Sequence, residues 1–265
     1  PFILGQKQLA PKMAAKFGIP LVFYGENEAE FGNPIADNES ALRDEHFFAT
    51  NDFDHIYLGG VPLRQLQEDF GVDKADLAIY LPCETSDVRK GGIQVHYMGY
   101  YEKWHPQGAY YYSVEHGGFM PSPERTVGTY SKYNSIDDKI DDFFYYTTYI
   151  KYGIGRCTYD AAQEIRNHEI TREEGVALCK KFDGEFPMRF AKEVFEYLSI
   201  DKKLFGAAAD CFEQPQMDLD YFMHLADRFR SPHIWQYANG KWSLRHTPFA
   251  GESLCGFGAP GAQEA

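Results

Sequence analysis

The sequence predicts an α/β fold with a helical C-terminal half. Three observations carry this reading. The short run Ile19 to Tyr24 is apolar, β-branched and aromatic, and it is bounded by Gly18 and Gly25, as a strand buried on both faces of a parallel sheet would be. Gly92 to Tyr100 alternates, with Ile93, Val95 and Tyr97 on one face of a second strand. Beyond residue 135, apolar residues recur at helical spacing behind recognisable helix starts.

In chain order, Gln6 to Phe17 reads as a helix, with Leu9, Met13 and Phe17 four residues apart, Pro11 in the first turn and Gly18 just past the end. A helix feeding a buried strand is a unit of a layered α/β sheet. Gly32 to Asn51 is polar and reads as a long loop; Val61 to Phe70 reads as a short helix closed by Gly71. Trp104 to Tyr112 and Glu115 to Gly118 are denser in aromatics, His and Gly than a plain loop; their rings either stack on a base or sugar or, as the preferred reading, fill a core edge. Ser135-Ile-Asp-Asp138 has capping-box spacing, and opens a helix that turns Ile136, Ile140, Phe143, Phe144 and Thr147 to the core. Thr171-Arg-Glu-Glu174 repeats the device. Phe190 to Leu198 and Tyr221 to Arg228 mark two more helices. Residues 1–250 are expected to form one domain, and residues 251–265, rich in small residues, a disordered tail. The start at Pro1 reads as a cut into a longer protein.

With 44% hydrophobic and 16% aromatic residues, the 265-residue chain can bury a substantial core. Its formal charge of −13 argues against a nucleic-acid or anionic-membrane surface. No apolar run reaches the ~18 residues of a membrane span. The five cysteines are scattered, without a Cys-x-x-Cys pair, and read as reduced cytosolic thiols. His96, His105 and His116 lack metal-ligand spacing and read as structural, so no metal ligands are assigned.

Two constellations carry chemistry. Gly25, Glu26, Asn27, Glu28 and Glu30 follow the first strand, at the carboxyl end where ligands of open α/β sheets sit. The other reading is a solvated acidic loop. Asp137, Asp138, Asp141 and Asp142 surround Lys139. The helix cap explains the first pair, whereas Asp141 and Asp142, in the second turn, need a cation, a basic partner or solvent. The basic residues Arg125, Lys132, Lys139, Lys151, Arg156 and Arg166 cluster around them in sequence, positioned either to hold an anionic substrate or to pair with the acidic residues.

Tyr24-Gly-Glu-Asn-Glu-Ala-Glu30, Gly99-Tyr-Tyr-Glu-Lys-Trp-His-Pro-Gln-Gly108, Tyr130 to Asp142 and Ile170-Thr-Arg-Glu-Glu-Gly175 together resemble the N-acetyl sugar amidotransferase family. These are bacterial enzymes of lipopolysaccharide and surface-glycan biosynthesis, a branch of the PP-loop ATP pyrophosphatases. The resemblance runs from about residue 1 to residue 247. It implies the later part of a Rossmann-like PP-loop domain of the adenine nucleotide alpha hydrolase-like type. It also implies conversion of a sugar N-acetyl group to an acetamidino group, with ATP and Mg as cofactors, an adenylylated intermediate, and ammonia from a glutaminase subunit with its synthase-like partner. The acceptor is an N-acetylated, nucleotide-linked or free, sugar, and the location cytoplasmic. On this resemblance Gly25, Glu26 and Asn27 take the nucleotide-turn role, and Glu26, Glu28 or Glu30 can face a metal or a basic nucleophile. Lys132, Lys139 and Arg156 are assigned to phosphate contacts on charge, outside any motif. The Ser-Gly-Gly-x-Asp-Ser signature and the family's N-terminal cysteine motifs are absent from these residues. This predicts little activity for the chain by itself, and leaves a non-catalytic module binding the glutaminase–synthase partner or a nucleotide sugar as the alternative.

Overall fold

The computed structural model describes residues 2–25 and 40–247. Glu26, Asn27, Glu30 and the expected tail therefore lie outside the described residues. The chain is mixed α/β, about half helical, with small parallel strand pairs, and divides into two compact units, Pro1–Trp104 and His105–Ala265.

The first unit opens with α1 (Phe2–Phe17), which starts earlier than expected, so Pro11 sits in its interior. Proline has no N–H for the carbonyl four residues back. That carbonyl, on Lys7, accepts instead from the Tyr24 hydroxyl at 2.9 Å. The buried face of α1 is Gln8, Pro11 and Ala14; the Leu9, Met13 and Phe17 stripe points to solvent. β1 (Leu21–Tyr24) pairs in parallel with β6 (Gln94–Tyr97), Val22 opposite Val95 and Tyr24 opposite Tyr97. Contrary to expectation, β1 is covered on one face: Val22 and Tyr24 pack on Ala14, Phe48, Val88 and Val95, whereas Leu21 and Phe23 are exposed. One helix and one neighbouring strand leave its other face open among the described residues. In β6 the alternation holds, with Ile93, Val95 and Tyr97 all buried.

Between them run β2 (Ala49–Thr50), β3 (Tyr57–Leu58), β4 (Val61–Pro62), α2 (Leu63–Glu68), α3 (Lys74–Leu77), β5 (Cys83–Glu84) and α4 (Thr85–Gly91). Gly59 and Gly60 both have positive φ and close the β3–β4 hairpin, which is why the helix expected from Val61 begins only at Leu63. β2 and β5 are parallel. After β6, α5 (Met98–Tyr101) ends the unit.

The second unit begins with α6 (Pro106–Gly117), a regular helix with no buried residue, whereas its rings were expected to fill a core edge. His105 caps it, Nδ1 accepting from the Gly108 N–H at 2.8 Å, and Pro106 occupies the first turn. α7 (Asp141–Tyr152), α8 (Arg156–Arg166), α9 (Arg172–Phe182), α10 (Ala191–Leu198), α11 (Lys202–Phe205) and α12 (Leu219–Arg228) follow, then a hairpin of β7 (Trp235–Ala238) and β8 (Lys241–Leu244). Phe143, Tyr146 and Ile150 of α7, Val194 and Phe195 of α10 and Phe222 of α12 form an aromatic core, with Phe143 edge-on to Phe195 and Phe222 at 5.4 Å. The Trp235 indole N–H donates to the Ile150 carbonyl at 2.7 Å and ties the hairpin to α7.

The start of α7 corrects the sequence reading. Ser135 has φ +51 and heads no helix; the Asp138 carboxylate accepts from the Ile140 N–H at 2.8 Å, and the helix begins at Asp141. The buried stripe accordingly becomes Phe143, Tyr146 and Ile150, with Phe144 exposed and Thr147 on the outside. The Thr171–Glu174 capping box is present in full.

Candidate functional site

The loop between α6 and α7 is fixed from below by buried charges. Arg125 grips Glu185 with two parallel hydrogen bonds of 2.6 Å, and the same carboxylate accepts from the Gly128 N–H at 2.9 Å. Burial pushes the Glu185 carboxyl up, but these donors outweigh it and hold it below its ordinary value. Thr126 donates to the Asn134 carbonyl at 2.7 Å. Asp160, on α8, accepts from the Thr129 hydroxyl at 2.6 Å and the Asn134 amide at 3.2 Å, and faces Arg156 at 3.4 Å. Glu164, one turn further on, accepts from the Tyr130 hydroxyl at 2.8 Å. Burial raises both carboxyls; Arg156 opposes this at Asp160 and the Tyr130 hydrogen bond opposes it at Glu164. Except for the Arg156 Nε, which is buried without a hydrogen-bond partner, these polar groups are satisfied by protein and hold the loop in one shape.

Asp142 differs. It lies in the first turn of α7 and is 4% exposed, and its Oδ2 has no hydrogen-bond partner. The nearest cation is Arg189, at 3.9 Å. Burial pushes the carboxyl up to about 6, Arg189 pulls it down, and the charges of Asp141 and Glu185 push it up again. A buried carboxylate that exchanges its proton near neutral pH and lacks a donor is able to accept one from a ligand. Asp183, at the end of α9, is also raised to about 6 by burial, but the Thr158 hydroxyl and the Thr158 N–H, the latter at 3.2 Å, both donate to it.

Two cations, Arg189 and Arg156, and two acids, Asp141 and Glu185, act on this group. Lys139 and Arg189 both lie over the Phe190 ring, at 5.3 and 4.5 Å, and Lys139 pairs with Glu193. Lys132 donates to the Pro123 carbonyl at 3.0 Å. Arg156 stacks on Tyr145 at 4.2 Å beside Asp160. Lys132 and Lys139 lie on the loop between α6 and α7 and Arg156 opens α8, while Gly25 follows β1 in the other unit. Asp141 and Asp142 are in the first helical turn, where the positive helix end favours them, rather than in the second. Asp141 is hydrogen-bonded by Ser135.

Sequence reasoning passed over Asp160, Glu164, Asp183, Glu185 and Arg189. A signal existed at α8, where Asp160 and Glu164 share the buried face with Cys157 and Ala161. Two acids on an otherwise small and apolar stripe break the amphipathic rule and mark a polar interior.

Among the described residues, no group of three or more His, Cys, Asp or Glu side chains is placed to hold a metal ion, and no helix is long and apolar enough to cross a membrane. No curated protein matches the chain. Residues 127–247 match the family model described as LPS biosynthesis protein WbpG-like, C-terminal domain. The matched stretch, less than half of the chain, contains Asp142, Arg156, Asp160, Glu164, Glu185 and Arg189, and makes that part of the chain similar to a domain of lipopolysaccharide biosynthesis proteins.

Proposed function

We propose that the chain belongs to an ATP-dependent amidotransferase that converts a sugar N-acetyl group to an acetamidino group in lipopolysaccharide synthesis. The observation that carries this reading is the match of residues 127–247 to a lipopolysaccharide-biosynthesis domain, over a stretch that buries Asp142 beside Arg189 with its Oδ2 lacking a hydrogen-bond partner. In the reaction proposed, the amide oxygen attacks the α-phosphorus of ATP and pyrophosphate leaves. Ammonia then adds to the amide carbon, and AMP departs with the original oxygen.

The described residues offer no metal cluster, so magnesium is assigned to none of them. Glu26, Asn27 and Glu30 keep their proposed role at the nucleotide turn beyond Gly25. In the second unit, Lys132 and Lys139 are exposed and Arg156 opens α8 beside Asp160; all three keep their proposed role as phosphate contacts. Asp142 is the group we assign to receive an N–H proton of the acceptor or of the incoming amine.

The test is an assay of the full-length protein with magnesium-ATP, ammonium and N-acetylated sugars, free and nucleotide-linked. The expected result is pyrophosphate release coupled to replacement of the acetamido oxygen by nitrogen, seen by mass. Asn27→Ala should abolish pyrophosphate release and leave the fold intact. Sugar binding without either product would mark a non-catalytic module instead, and release unaltered by Asn27→Ala would remove that residue from the mechanism.

A further inference from the structure

Two thiols next to this cluster are left unused by the proposed reaction. Cys157, in the first turn of α8, is completely buried; Cys179, near the end of α9, is partly exposed. α8 and α9 pack closely because Gly175 has no side chain: a Cβ there would stand 2.7 Å from Ile165 Cδ1. That approach brings the two thiols into hydrogen-bond contact, and the Thr158 hydroxyl also donates to Cys179 Sγ, at 3.6 Å. Neither is in a disulfide. The two thiols are unequal: the Cys157 S–H and the Thr158 O–H both favour a thiolate on Cys179, whereas Cys157 is held protonated by the same hydrogen bond and by burial.

We propose that Cys157 and Cys179 form a redox-active dithiol that closes to a disulfide when the protein meets a peroxide. Cys179 is the attacking sulfur because it is the exposed member and the one that receives donors. Its thiolate attacks one peroxide oxygen, the O–O bond breaks, and hydroxide leaves, giving a sulfenic acid. The Cys157 sulfur then attacks the Cys179 sulfur, the S–OH bond breaks, and the Cys157 proton leaves with the hydroxide as water. Both thiols are oxidised by one electron pair in all, and one hydrogen peroxide becomes two waters. The bridge would tie the start of α8, including Arg156, to the end of α9 next to Asp183.

The test treats the full chain with hydrogen peroxide, quenches in acid, alkylates the unfolded chain and maps its peptides by mass. The expected product is one cross-linked pair containing Cys157 and Cys179, two hydrogen atoms lighter, reversed by dithiothreitol. The melting temperature should rise with it and fall back on reduction. Cys157→Ser should lose the cross-link completely and leave a sulfenic acid on Cys179 that dimedone traps. Peroxide treatment of the urea-unfolded wild-type chain should lose the pairing preference, a control that needs no variant to fold. Oxidation of exposed Cys211 while Cys157 and Cys179 both remain alkylatable would overturn the proposal, as would a bridge from Cys179 to Cys83 or Cys211.

Discussion

Both units leave large apolar side chains in water, but among the described residues only the second buries carboxylates. In the first, Leu9, Met13, Phe17, Leu21 and Phe23 are each at least 40% exposed, on α1 and β1. In the second, Thr126, Thr129, Ser131, Asp142, Asp160 and Glu164 are all nearly inaccessible. In the first unit, regular structure rests on small separate clusters around Val95 and around Leu58. In the second, an aromatic core carries the helices, and a separate charged interior shapes one loop. Stability and site geometry are thus divided between two sets of residues in the second unit, which is what allows them to be perturbed separately.

The largest effect should come from Asp160→Ala. It strips the acceptor from Thr129 and Asn134 and leaves the Arg156 charge buried without its carboxylate. Loss of one partner of a buried pair costs about 3–5 kcal/mol. Urea denaturation should show it, and a cost below about 1 kcal/mol would mean the interior is hydrated rather than held by these contacts. Gly175→Ala comes next. Its Cβ would collide with Ile165 and separate α8 from α9, at about 1–3 kcal/mol. A variant as stable as the parent would show that the two helices tolerate spreading.

What was legible in the sequence follows the same division. Helices that bury an apolar stripe, such as α10 and α12, and the alternating β6 were read nearly in place, because periodicity reports burial. α6 was missed because it has no buried residue and so no stripe to read. The start of α7 was missed because the Ser135 capping signal is local, whereas the loop is claimed by Asp160 and Glu185, some 26 and 57 residues away from the groups they bind. Local chemistry lost to long-range hydrogen bonds there. The same distance hid the carboxylates of the candidate site: each partner is ordinary in its own stretch of sequence. α1 was placed but turned wrongly, since its Leu9–Phe17 stripe is real and faces outward.

Asp142→Asn should reverse the usual sign. The folded-state pKa of Asp142, about 6, lies above its ordinary value of 3.8. The folded chain therefore holds the extra proton between those two values, and its contribution to stability is present below about pH 4 and lost as pH rises through 6. Asparagine cannot ionise. The variant should match the parent at about pH 3 and exceed it at pH 7.5 by about 1–2 kcal/mol, discounted from about 1.4 kcal/mol per unit for relaxation and water entry. If Asp142 also takes a proton in turnover, the stabler variant should be the poorer enzyme. Equal stability at both pH values would mean that Arg189 already neutralises the site.

The smallest effect belongs to the first unit and concerns how it tolerates proline inside a helix. Tyr24→Phe removes the hydroxyl that donates to the Lys7 carbonyl, at about 1 kcal/mol. That loss alone could reflect any hydrogen bond, so the informative measurement is a double-mutant cycle with Pro11→Ala. Alanine restores an N–H four residues after Lys7, and the cycle cancels the packing lost when the buried proline ring is removed. If the tyrosine stands in for the missing helical donor, the cost of Tyr24→Phe should shrink to a few tenths of a kcal/mol in the Pro11→Ala background. An undiminished cost would show that the Tyr24 hydroxyl acts independently of the proline, with the Gln6 carbonyl 3.4 Å away as its other acceptor, and that α1 carries its proline without help from the strand.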